Sequence, residues 1–172
     1  LYILCSAPFP ALVRIRMRGG TPIRPPSTDD TLRMSMWKAS SLLVAMPHSR
    51  QLVALSAPRL AGSEPLRICR IELGALALPS SDEHPESGCA QLRGKHALEA
   101  PTAAAPDERA GVIYLGCASG MLLRLRLFPL KVEQAIVAAS NGAMAGVMGV
   151  VFRPSDDTLW VTSSDDDGRL VQ

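Results

Sequence analysis

His84, Cys89 and His96 fall within a stretch of thirteen residues, with Asp82 just upstream. Imidazole, thiolate and carboxylate together make a donor set that can hold zinc. Zinc sites close with four ligands in tight pairs such as Cys-x-x-Cys, and spacings of five and seven residues supply no such pair, so no metal ligand is assigned. Asp156-Asp157 and Asp165-Asp166-Asp167 could bind calcium or act as paired carboxylates. Each cluster stands where a hairpin must turn, and Asp side chains cap turns by accepting from backbone N–H groups two residues on. Asp165, Gly120 and Gly168 are therefore read as structural turn residues. Ser163, Ser164 and His48 offer a nucleophile and a base, yet no Gly-x-Ser-x-Gly elbow frames a serine and no Gly-rich loop is present to cradle phosphate. No catalytic or cofactor-binding residue is assigned, and an all-β enzyme ranks last among the readings.

Arg14, Arg16, Arg18, Arg67, Arg70, Arg124 and Arg126 recur at polar-face positions of apolar runs. A guanidinium fork fits phosphate or carboxylate, which keeps open a scaffold associated with nucleic acid. The simpler reading is a solvated outer face. Net charge is only +2, with no polybasic block, and the longest wholly apolar runs fall far short of the roughly 20 residues that span a bilayer. Neither a membrane nor a charged polymer is called for as partner. Cys5, Cys69, Cys89 and Cys117 form no Cys-x-x-Cys pair, and Cys5 and Cys117 sit in apolar runs where a thiol packs as a small hydrophobe. Reduced cysteines and an intracellular, cytoplasmic or nuclear, location are expected.

These residues sit on short strands. The 172 residues are 47% hydrophobic, enough for a sizeable core, and apolar runs with period-two alternation recur between Pro-, Gly-, Ser- and Asp-rich turns. Placing LYILC with ALVRI, LLVAM with QLVAL, VIYLG with MLLRL and TLWVT with RLVQ in one register gives four hairpins. Residues 32–37 are assigned to the same four-stranded unit as LLVAM and QLVAL. Residues 78–110 break the pattern: Pro-rich, with a run of Ala and a local acidic excess, they read as a disordered insertion between a first propeller part, 1–77, and a second, 111–172. Without that insertion the hairpins repeat every 40 to 45 residues or so, the period of four-stranded propeller blades.

Val147, Val150, Phe152, Pro154, Leu159, Ser163 and Asp165, in that spacing, resemble a WD40 repeat, whose first strand carries Val-x-x-Val-x-Phe-x-Pro and whose second leads into Ser-x-Asp. The match departs from the family at Gly142-Ala143, where the family has Gly-His. A propeller of the large DNA-damage and pre-mRNA cleavage scaffold family, whose blades carry runs like YLGCASGMLLRL, stays open as the second family. The resemblance implies an all-β fold, a partial WD40-like β-propeller of about three and a half four-stranded antiparallel blades. It also implies a non-enzymatic scaffold whose partners are other proteins and which needs no cofactor. Alternation places Ile113, Leu115, Val150, Phe152, Leu159 and Val161 in the core between sheets. The chain starts and stops within strand-like sequence and is read as a fragment of a longer protein.

Overall fold

The computed structural model describes residues 2–5, 11–14, 17–22, 31–33, 41–56, 64–73, 89–137, 146–163 and 170–171. Every regular element among them is a strand, and every pairing is antiparallel. Among the described residues, no helix is long and apolar enough to cross a membrane.

The first sheet runs β1 (Tyr2–Cys5), β2 (Ala11–Arg14), β5 (Thr31–Arg33), with a two-stranded ribbon, β3 (Met17–Arg18) and β4 (Thr21–Pro22), between its last two strands in sequence. The second sheet runs β6 (Ser41–Met46), β7 (Gln51–Ser56), β8 (Arg67–Glu72), β9 (Cys89–Gln91). The third runs β10 (Pro101–Asp107), β11 (Val112–Cys117), β12 (Met121–Arg126), β13 (Lys131–Val137). The fourth runs β14 (Val147–Arg153), β15 (Thr158–Ser163), β16 (Leu170–Val171). In the second, third and fourth sheets sequence order is spatial order, so each is a simple meander.

Period-two alternation sends neighbouring side chains to opposite faces, and the third sheet uses both. Ile113, Leu115, Cys117, Leu123 and Leu125 turn to the second sheet, where they pack with Val53, Leu55 and Ile68. Leu122 and Ala105 turn the other way and pack with Val147, Val150 and Val161 of the fourth sheet, with Tyr114 and Phe152 at the margin. The second sheet has its own far face, built from Leu52, Ala54, Cys69 and Ile71. The sheets therefore stack serially, the third lying between the second and the fourth. Strand β10 touches both β6 and β14, so the first strands of three successive sheets lie side by side, while β9 and β13 form the opposite margin.

Three expectations need correction. The strands begin inside the supposed disordered insertion. Its residues 89–110 supply β9 and β10, and the boundary at 110/111 cuts the hairpin that pairs β10 with β11; residues 78–88 lie outside the described residues. The Ala-rich composition that suggested disorder has a packing role: a strand flanked by two others on neighbouring sheets has little room, and Ala103 to Ala105 occupy it. Second, residues 31–33 pair with β2 of the first sheet, and LLVAM opens the second sheet, so that hairpin was placed one strand out of phase. Every apolar hairpin looks alike in sequence, and only the pairing reveals which strand is first. Third, Cys69 and Cys89 are joined in a disulfide. They are direct cross-strand partners in the β8–β9 ladder with Cα atoms 4.0 Å apart, a proximity that a separation of 20 residues conceals. The bond also takes Cys89 out of the zinc donor set.

Candidate interaction surface

Among the positions singled out from sequence, Ile113 and Leu115 are fully buried, and Val150 and Val161 are buried at 8% and 7% exposure. Phe152 and Leu159 are half-buried at the edge of the same cluster, and Phe152 meets Tyr114 with ring centroids 5.3 Å apart. Gly120 adopts φ +79°, the left-handed region glycine enters without cost, and its N–H donates to Cys117 O at 3.0 Å to close the β11–β12 turn. Asp156 and Asp157 lie in the 154–157 turn, where Asp156 accepts from Arg153 Nε at 2.8 Å and from Thr158 Oγ1 at 2.7 Å. Asp165, Gly168, Ser164, His84, Asp82 and Arg16 lie outside the described residues.

Arg70, Arg124 and Arg126 of the arginine rows find partners nearby. Arg124 and Arg126 both reach Glu133 on β13. A bulge opposite Arg124 and Leu125 leaves Glu133 as the extra residue of its strand, so one carboxylate can serve two cations. Hydrogen bonding from Arg126 holds the Glu133 carboxyl below its ordinary value. Arg70 stacks over Phe128 at 4.3 Å. Three of the seven guanidinium groups are therefore engaged within the protein.

Polar links also tie sheet to sheet. Glu108, in the turn after β10, accepts from Ser49 N at 3.0 Å, His48 N at 3.3 Å and Ser49 Oγ at 3.2 Å in the turn after β6. Burial alone would raise this carboxyl, but the hydrogen bonds from Ser49 and His48 outweigh it and hold the group below its ordinary value. At the opposite end of the third sheet, Ser119 Oγ donates to Glu99 Oε2, and His96 Nδ1 lies 3.9 Å from Glu99 Oε1. Sequence reasoning treated His96 as a chance neighbour of Cys89; the useful signal was the Gly94-x-His96 run ahead of a strand.

Where the second and third sheets diverge at their outer margin, β9 and β13 leave a groove of about 1020 Å³. Ala90, Leu92, Leu130, Val132 and Ala135 form its apolar floor, continuous with the core beneath. Arg93, Lys95 and Lys131 stand exposed around it, and Glu133 is the one carboxylate among the described lining residues. Among the described residues, no Phe, Tyr or Trp lines it. Both flanking strands end their sheets in the described pairing.

No protein-family model and no curated relative matches the chain. Among solved structures it is similar to the crystal structure of Saccharomyces cerevisiae Sqt1, at 11% identity and a TM-score of 0.53 over 94% of this chain. The chain spans 41% of that one, and at such identity the likeness is one of fold alone.

Proposed function

We propose that the chain is an arc of a WD40-like β-propeller and works as a non-enzymatic scaffold for other proteins. The observation that carries this is the serial stacking of meander sheets with β6, β10 and β14 side by side at one margin and β9 and β13 at the other. Blades around a channel have that order, each starting at the hub and ending at the rim. The fold likeness to Sqt1, a WD40-repeat protein, supports the same reading, and its coverage of 41% fits an arc rather than a ring.

Binding is favoured over catalysis by the state of two side chains that carry nucleophilic atoms, Ser119 and Cys117. Ser119 donates to a carboxylate instead of a histidine, and burial pushes the Cys117 thiol up to about 12, leaving it protonated. Protein is favoured over nucleic acid because Arg70, Arg124 and Arg126 are engaged inside the sheets.

The test is selection of a displayed random-peptide library against the purified chain, run beside titration with a single-stranded oligonucleotide. The scaffold reading expects peptides that saturate one site and no oligonucleotide binding at physiological salt. Oligonucleotide binding that collapses steeply with salt, with no peptide selected, would overturn it.

A further inference from the structure

We propose that the groove between β9 and β13 docks an extended segment of a partner protein in which acidic and apolar residues alternate. The inference rests on the scaffold reading above and assigns it a site and a chemistry.

Shape comes first. At about 1020 Å³ the groove lies at the upper limit of the roughly 300–1,000 Å³ typical of small-molecule sites. Strands wall it on both sides, and the edge of β13, unpaired among the described residues, offers N–H and C=O groups that an extended backbone can pair with. A bulge at Glu133 interrupts one edge, which disfavours a long, register-free strand of another β13 and leaves room for a short segment.

Chemistry follows from the lining. Successive residues of an extended segment face opposite ways, so one set can cover Leu130, Val132 and Ala135 while the other meets Arg93, Lys95 and Lys131 at the rim. Glu133 does not cancel this charge, because Arg124 and Arg126 already neutralise it. Arg93 and Lys95 make no ion pair among the described residues. The groove therefore attracts carboxylates. A nucleic acid fits less well: strand binding without sequence readout relies on aromatic platforms, and the described lining residues include none.

The experiment measures anisotropy of a short fluorescein-labelled peptide alternating Glu with Val, titrated with the full chain. A Lys/Val peptide and a single-stranded oligonucleotide serve as competing probes. The proposal expects saturable binding of the Glu/Val peptide that weakens with salt and falls by about tenfold or more in the Lys95→Glu, Lys131→Glu double variant. Arg109→Glu, an exposed cation in the turn after β10, should leave it unchanged. Both variants place charge on exposed side chains, and an unaltered thermal melt verifies that the fold is intact. Equal binding by the double variant, preference for the Lys/Val peptide, or oligonucleotide binding lost on the same double substitution would each overturn the proposal. So would tighter peptide binding after neutralising Asp82, Glu83 and Glu86, which would assign the groove to the chain's own acidic segment. Library-selected peptides that bind regardless of Lys95 and Lys131 would remove the groove but leave the scaffold reading standing.

Discussion

Gly116 on β11 and Val147 on β14 share a space that holds only one side chain. A Cβ built on Gly116 would lie 2.2 Å from Val147 Cγ1, 2.8 Å from Val147 Cβ and 3.0 Å from Val150 Cγ2. Thr102 Oγ1, on the adjoining β10, lies within reach of both the Val147 carbonyl and Gly116 O, 3.1 Å away, and its one proton can go to either, so this contact of the third and fourth sheets is both packed and hydrogen-bonded.

Gly116→Ala should therefore destabilise the protein through overpacking, by about 1–3 kcal/mol in denaturant unfolding. Adding Val147→Ala should recover part of that loss. A Gly116→Ala variant as stable as the parent would mean that the two sheets do not meet here.

Separating Cys69 from Cys89 frees a loop of 20 residues and lets β9 part from β8. Cys69→Ser with Cys89→Ser should cost about 3 kcal/mol by loop entropy. Alkylation in non-reducing denaturant, read by mass spectrometry, should leave both cysteines unmodified; modification of either would contradict the bond. Cys117, buried with its thiol pushed to about 12, should label only after unfolding.

Acid should loosen the contact between the second and third sheets. The Glu108 carboxyl is held below its ordinary 4.5 in the folded protein, so the stability it contributes is fully present above that value and is lost as pH falls through the lower folded value. Glu108→Gln should be less stable than the parent at neutral pH, and the gap should close in strongly acidic buffer. A gap that stays constant with pH would remove Glu108 as the titrating group.

The Tyr114–Phe152 pair spans the third and fourth sheets. Phe152→Leu keeps most of the apolar volume and should cost about 1 kcal/mol, the usual worth of such a ring pair. A double-mutant cycle with Tyr114→Leu that shows no coupling would place the rings apart.

What the sequence disclosed follows from which forces are local. Alternation made strands and faces legible: Ile113 and Leu115 occupy one face of β11, and Gly116 the other. Turn chemistry was equally local at Gly120. Pairing across the chain is not local. Nothing in LLVAM tells whether it opens a sheet or sits second, nor does Cys69 signal that β9 will bring Cys89 opposite it. The Ala run of β10 misled because small residues suit both disorder and a crowded inner strand. The groove lay beyond reach for the same reason, since Lys95 and Lys131 become neighbours only when the second and third sheets stack.

The most direct test of the serial stack is a set of methyl–methyl NOEs measured on the Ile, Leu and Val side chains of the chain. Stacking in the order second, third, fourth predicts cross-peaks linking Val53 and Leu55 with Ile113 and Leu115, and Leu122 with Val150 and Val161. It predicts none linking Val53 or Leu55 with Val150 or Val161. Strong cross-peaks of that last kind would place the second sheet directly on the fourth, as in a closed sandwich, and would contradict the propeller arc.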